Sequence, residues 1–131
     1  MKINIIDEMY NNAVSLHNKG IYSEAIKLYS KILTIKPFHL DAAKNITAIY
    51  ILNGENSKAE NIIVKFHQSD KADIGLLNHL SIIYMRTSRV HAAIDILNQL
   101  ININPYFEDS YLNIVHAYGI LKNHDEAIKY N

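Results

Sequence analysis

Four polar side chains recur at a fixed interval along this chain. The series begins at Asn11 and continues at Asn45, His79 and Asn113, each one equally far from the last. Carboxamide and imidazole groups carry both hydrogen-bond donors and acceptors, which are the groups that match a peptide backbone. This polar column therefore suggests recognition of a peptide. An Asn at such a repeated position also has a simple structural role, which is bonding to neighbouring helices, and both interpretations stay open.

The patterns that support catalysis or metal binding are missing from the sequence. There is no cysteine, which excludes disulfides, thiolate metal sites and cysteine nucleophiles. Of the seven histidines, only His79 and His116 are expected to be adjacent, and no carboxylate or third histidine at ligand spacing completes a zinc site. No phosphate-binding glycine loop, nucleophile elbow or HExxH motif occurs. We therefore expect neither an enzyme nor a bound metal or cofactor.

The charge balance excludes further classes of partner. Lys plus Arg and Asp plus Glu number 13 each, so the formal net charge is zero. Nucleic-acid binders normally carry a basic face, and docking on anionic membranes requires clustered basic residues. The N-terminus lacks the apolar core of a signal peptide, and no apolar run approaches the about 18 residues of a membrane span. We expect a soluble, cytoplasmic protein with a protein or peptide partner, and neither nucleic acid nor membrane.

The whole chain repeats with a period of about 34 residues, which is typical of arrays of small structural units. A column of alanines has this spacing, and so do columns of larger apolar residues: Ala25, Ala59, Ala93 and Ala127; Leu16, Tyr50, Tyr84 and Tyr118; Tyr29, Ile63 and Leu97; Ile32, Phe66 and Leu100. Alanine at a fixed position lets two helix backbones approach closely, whereas a larger side chain would overpack. Several independent columns that share the same 34-residue spacing indicate a repeat architecture.

Each period reads as two amphipathic helices. The predicted helices are Asp7–Asn18, Ser23–Ile35, Leu40–Leu52, Ser57–Gln68, Ile74–Thr87, Val90–Ile103, Glu108–Leu121 and a last one from Asp125 onward. Gly20 and Gly54 provide helix stops, and Ser88 and Lys122 continue their column. Ser23 is the predicted N-cap of the second helix, and Ser57 to Glu60 has the spacing of a capping box.

These residues resemble the tetratricopeptide repeat family. The best match is Leu77, Leu80, Ser81 and Tyr84, followed by Ala93, Leu97 and Pro105, and the resemblance extends over residues 6–131. It implies an all-α solenoid of antiparallel helix pairs with a right-handed superhelical twist and about three and a half to four repeats. The expected organisation is one domain, residues 1–131, with repeats at 6–39, 40–73, 74–107 and 108–131, the last incomplete.

The resemblance also implies where a partner binds. In the family, the first helix of each pair lines a concave groove, and several members hold a peptide backbone with a ladder of Asn side chains. Carried over to this sequence, the expected peptide-binding residues are Asn11, Asn45, His79, Asn113, Tyr10, Lys44, Asn78, Ile82, Arg86 and His116. The chaperone-binding members grip a C-terminal carboxylate with a clamp of Lys, Asn and Arg. Only Asn45 matches that clamp here, so we do not expect this ligand.

Three functional hypotheses follow. The first is a scaffold or adaptor whose concave groove binds an extended or helical segment of a partner protein. The second is a self-assembly module, a homo-oligomer formed through the C-terminal helix pair around Ile128. The third is the accessory repeat domain of a larger enzyme, such as a glycosyltransferase or a sulfotransferase. The fourth repeat stops inside its second helix, so we expect either that this chain is a fragment of a longer protein or that its last pair is covered by self-association.

Overall fold

The secondary structure is all α-helical in the residues that the computed structural model describes, which are 4–71 and 73–129, with side chains through residue 123. The helices are α1 (Ile5–Asn18), α2 (Tyr22–Ile35), α3 (Leu40–Leu52), α4 (Asn56–Gln68), α5 (Ile74–Arg86), α6 (Val90–Ile103) and α7 (Glu108–Lys129). The all-α prediction is confirmed. The bounds of α3 and α6 are those predicted, and α1, α2, α4 and α5 differ from prediction by one or two residues at an end.

Left-handed residues end the first helix of three repeats. Gly20, Gly54 and Ser88 have φ of 77°, 78° and 62°. At the end of α1, the Ile21 N–H donates to the Leu16 carbonyl at 2.9 Å, which is the long bond of a Schellman motif. This motif turns the chain back at once, so that the next helix begins two residues after the left-handed residue.

The fourth repeat departs from this pattern, and the predicted break between residues 121 and 125 is wrong. Helix α7 runs from Glu108 to Lys129 without interruption. Lys122 occupies the column of the three left-handed residues. A lysine in the left-handed region costs about 1–2 kcal/mol, whereas lysine is among the better helix formers. Continuing the helix is therefore the locally favoured conformation.

The predicted caps at Ser23 and Ser57 are also wrong. Helices α2 and α4 begin one residue earlier, at Tyr22 and Asn56, and neither receives a side-chain cap. The preceding Schellman turn sets the helix start, and this places each Ser inside the first turn. Side-chain caps occur instead at α1, α3 and α5, where Asn4, His39 and Asp73 accept from backbone N–H groups.

The chain divides into two compact units, the first ending at Lys71. In the first unit, α1 packs on α2, α2 on α3 and α3 on α4. One cluster of its core combines three fully buried alanines with larger side chains: Ala13, Ala25, Ala42, Tyr29, Ile32, Ile46 and Ile49. The small residues allow close approach of the helices, and the larger ones fill the space around those contacts.

In the second unit, α5 packs on α6, and α7 packs on both. Its core is mostly leucine and isoleucine: Leu76, Leu77, Leu80, Ile83, Leu97 and Leu100, with Ala93 and Ala117. The alanine column behaves as expected, since Ala25, Ala59 and Ala93 are all fully buried. The fourth member, Ala127, lies outside the described side chains. That the chain forms one domain with the stated repeat boundaries stays a prediction.

No helix in the described part of the chain has both the length and the apolar character needed to cross a membrane.

Candidate peptide-binding surface

All ten predicted binding residues lie on the first helices of the pairs. Tyr10 and Asn11 are on α1, Lys44 and Asn45 on α3, and the remaining six on α5 and α7. None of the ten is buried, and Asn11, Arg86 and His116 are exposed. Since these helices use their other faces for the core, the predicted residues remain accessible to a partner within each unit.

A hydrogen bond joins two of these residues in the second unit. The Asn113 Nδ2 donates to the Asn78 Oδ1 at 2.9 Å and links α7 to α5. A carboxamide has two N–H donors and a carbonyl oxygen with two lone pairs, so this bond uses only part of the capacity of Asn113. The bond holds the amide in a defined orientation on the surface of the unit.

The first unit contains the equivalent bond. The Asn45 Nδ2 donates to the Tyr10 hydroxyl at 3.1 Å and links α3 to α1. In both units the acceptor lies 35 residues before the Asn. It is therefore on the first helix of the preceding repeat, at the position just before the polar column. The polar column therefore bridges adjacent first helices, which is the structural role that the sequence left open. Asn11, Lys44 and His79 take no part in either of these two bonds.

An aromatic cluster packs against the ring of Tyr10. Its ring lies 6.2 Å from that of Tyr29 and 5.6 Å from that of His39, measured between centroids. Tyr29 is fully buried, and its hydroxyl shares a hydrogen bond of 3.2 Å with the His17 Nδ1, whose donor depends on the His17 tautomer. Burial raises the pKa of Tyr29, because the phenolate is poorly solvated there. The Tyr10 ring, which accepts the Asn45 bond through its hydroxyl, thus packs against a fully buried aromatic side chain.

Four of the predicted residues line one cavity in the second unit. The cavity has a volume of about 380 Å³ and is formed by Ile82, Met85, Arg86, Asn113, His116 and Ile120. Apolar side chains lie beside one amide, one imidazole and one guanidinium, which is the mixture expected of a site with an apolar floor and a few orienting polar groups. Met85 and Ile120 belong to the same helix faces, but they were not among the ten predicted binding residues.

The described side chains contain no group of three or more His, Asp or Glu residues that could hold a metal ion. The side chains that line the cavity offer hydrogen bonding, apolar contact and one guanidinium charge.

Paired helices stacked through a regular spacing of small and large residues define the chain as an all-α helical repeat protein. The family model of the tetratricopeptide repeat matches residues 108–130. The chain superposes on the tetratricopeptide repeat domain of Sgt2 from Aspergillus fumigatus with a TM-score of 0.83 at 16% identity, covering 95% of this chain and 83% of that one. For the equivalent domain of Arabidopsis OM64, the TM-score is 0.79 at 11% identity, covering 87% and 94%.

The chain therefore has the tetratricopeptide repeat fold, and the resemblance seen in its sequence is confirmed. Its fold is also similar to that of MamA from Desulfovibrio magneticus RS-1, with a TM-score of 0.79 at 17% identity, covering 95% of this chain and 70% of that one.

Among curated proteins, the chain is similar to the photosystem I assembly protein Ycf3. The Synechococcus sp. (strain CC9605) protein is 25% identical over 122 residues, which is 80% of this chain and 69% of that protein. The Prochlorococcus marinus (strain NATL1A) protein is 27% identical over 84 residues, which is 62% of this chain and 49% of that protein. The match thus spans between about half and two thirds of these relatives.

Proposed function

We propose that this protein is a non-catalytic scaffold or adaptor that binds an extended or helical segment of a partner protein on its first helices. The observation that carries the proposal is the cavity between α5 and α7, where Ile82 and Met85 lie beside the amide of Asn113. This arrangement offers an apolar pocket next to a group that bonds a peptide backbone. The relatives named as assembly proteins support a role in bringing other proteins together.

The chemistry of the surface indicates the kind of segment that fits. Lys44 and Arg86 are the cations among the ten predicted residues, and no carboxylate lies among them. Apolar residues line half of the cavity. We therefore infer a partner segment with apolar side chains, held through its backbone by Asn side chains, rather than an acidic tail. The absence of cysteine in the sequence supports a cytoplasmic location, where thiols give no structural disulfides.

Selection from a phage-displayed library of random peptides, followed by anisotropy titration of the enriched peptides, tests the proposal. The variant Ile82→Asp places a charge in the apolar part of the cavity. Full burial of one such side chain is worth about 1.5–3 kcal/mol, so the Kd is expected to rise by about tenfold or more. Asn113→Ala removes a hydrogen bond worth about 1 kcal/mol, and we expect a rise of about fivefold.

Ile103→Asp is the matched control, because Ile103 is 60% exposed on α6 and lies outside the cavity. This variant is expected to bind the selected peptides with the wild-type Kd. Circular dichroism would show that each variant retains its helices. Peptides that bind Ile82→Asp as tightly as the wild type, or a library from which no peptide is enriched, would refute the proposed surface.

A further inference from the structure

The turn between α3 and α4 contains an asparagine followed by a glycine, Asn53 and Gly54. Gly54 is the only glycine of the chain that follows an asparagine, and both residues are exposed. Because glycine has no side chain, its backbone nitrogen is the least hindered of any residue for attack on the amide carbon of the preceding side chain. This pair is therefore a candidate for spontaneous deamidation.

The reaction consumes only water. A base in the solvent removes the proton of the Gly54 N–H, and this nitrogen attacks the Asn53 Cγ. The bond from Cγ to Nδ2 breaks, and Nδ2 takes up a proton and leaves as ammonia. Water then opens the resulting five-membered succinimide at one of its two carbonyls. One opening gives aspartate, and the other gives isoaspartate, in which the main chain runs through the former side chain.

The closed turn holds the two residues away from the reactive geometry. Asn53 has a ψ of 0°, so the Gly54 nitrogen is eclipsed with the Asn53 backbone nitrogen and is turned away from Cβ. Closing the succinimide ring requires this nitrogen on the side of Cβ. The Gly54 N–H also donates to the Ile51 carbonyl at 3.1 Å, and the Glu55 N–H donates to the Tyr50 carbonyl at 2.8 Å. These bonds must break before the ring can close.

The turn itself does not require an asparagine at this position. Lys19 and Thr87 end α1 and α5 in the same way, with ψ of −2° and 20°. Like Asn53, each donates its N–H to the carbonyl four residues earlier. Neither side chain carries an amide that can leave as ammonia. Asn53→Lys is therefore a control that keeps the turn and removes the reactive group.

We propose that Asn53 is a site of spontaneous deamidation whose rate is set by opening of the α3–α4 turn. Only molecules with an open turn react, so the rate equals that of the unfolded chain multiplied by the open fraction. Isoaspartate lengthens the main chain by one CH₂ between residues 53 and 54, and the bonds of the Gly54 and Glu55 N–H groups span this insertion.

The modification is expected to loosen the first unit. A main chain with the extra CH₂ cannot place the Gly54 and Glu55 N–H groups on their acceptors in α3 without distorting the turn. The new carboxylate also lies at the C-terminus of α3, where the helix dipole disfavours a negative charge. Since α3 packs on α2 and on α4, the effect should be confined to the unit that ends at Lys71.

Peptide mapping of the full chain after incubation in mildly alkaline buffer tests the site and its control by the turn. The peptide that contains Asn53 gains one mass unit, because NH₂ is replaced by OH. The same chain in guanidinium chloride gives the unprotected rate, and hydrogen exchange of the Gly54 amide gives the open fraction. We expect the folded chain to react at least about tenfold more slowly, by a factor that matches this open fraction.

Two results would overturn the proposal. One is deamidation of the folded chain at the unprotected rate, and the other is unchanged Asn53 after the time that the measured open fraction requires. Asn53→Lys should show no change of mass in this peptide in either solvent.

Hydrogen exchange of the separated isoaspartyl form tests its effect on the fold. Asn53→Asp is the matched control, because it carries the same charge on a main chain of normal length. The isoaspartyl form is expected to lose more protection in α3 and α4 than Asn53→Asp does, whereas α5 and α6 should keep theirs. Equal protection in the two forms would refute the claim that the modification loosens the turn.

Discussion

The turn after α3 offers a test of what ends a first helix. Gly54 has a φ of 78°, and a Cβ added there would meet no atom within 4 Å. Gly119, inside α7, would also have open space around an added Cβ, but its backbone is helical. The two Gly→Ala substitutions therefore differ in backbone conformation and not in crowding.

We expect the two Gly→Ala substitutions to change the free energy of unfolding in opposite directions. An alanine at position 54 costs about 1–2 kcal/mol in the left-handed region, offset by about 0.4–1 kcal/mol from the lower entropy of the unfolded chain. We expect Gly54→Ala to lower the free energy of unfolding by about 1 kcal/mol. Gly119→Ala is expected to raise it by about 1 kcal/mol, which is the difference in helix propensity. Ser88→Gly removes a non-glycine residue from φ of 62°, and we expect it to stabilise by up to about 1 kcal/mol.

Native-state hydrogen exchange is the suitable assay, because the chain has two compact units that need not unfold together. Gly54→Ala should reduce protection in α3 and α4, whereas Ser88→Gly should increase it in α5 and α6. Urea denaturation, monitored by circular dichroism, gives the free energy of unfolding of the whole chain. If Gly54→Ala and Gly119→Ala change stability in the same direction, the left-handed conformation of Gly54 does not control this turn.

Three further predictions concern the described contacts. A double-mutant cycle of Tyr10→Phe and Asn45→Ala should give a coupling of about 0.5–1.5 kcal/mol in urea denaturation, and additivity would show that their bond adds nothing to stability. Tyr29→Phe should destabilise by about 1 kcal/mol through the lost bond to His17. Because burial raises the folded-state pKa of Tyr29 above 10.0, its contribution is complete below that pH and is lost as the pH rises through the folded-state pKa. The wild type should therefore lose stability in alkali more steeply than Tyr29→Phe, and parallel pH profiles would contradict this. Lys122→Gly should lower the helix content measured by circular dichroism, since glycine permits the left-handed turn and has a lower helix propensity than lysine, and an unchanged helix content would show that Lys122 does not keep α7 continuous.

The sequence predicted which helices carry the candidate residues, but not the hydrogen bonds between those residues. The repeat spacing of Asn45 and Asn113 correctly placed both on first helices. The sequence left open whether these Asn side chains bond to neighbouring helices or to a peptide. A single sequence does not reveal which side chain of one helix lies opposite an amide on the next helix. Tyr10 and Asn78 are different residue types, yet they accept the same kind of bond.

The sequence by itself determined the first six helices, their period and the burial of three members of the alanine column. These features follow from hydrophobic periodicity and helix stops, which act over a few residues and are written directly in the chain. Ala25, Ala59 and Ala93 are buried for this reason.

Only the tertiary structure decided how the chain behaves where two local preferences compete. The Schellman turns moved the starts of α2 and α4 ahead of Ser23 and Ser57, and at Lys122 helix continuation prevailed over the repeat pattern. The energies involved are about 1–2 kcal/mol, which is close to the balance between a turn and a helix. A difference of this size cannot be read from the repeat pattern, so only the structure shows that α7 continues past Lys122 and that Val115 is exposed.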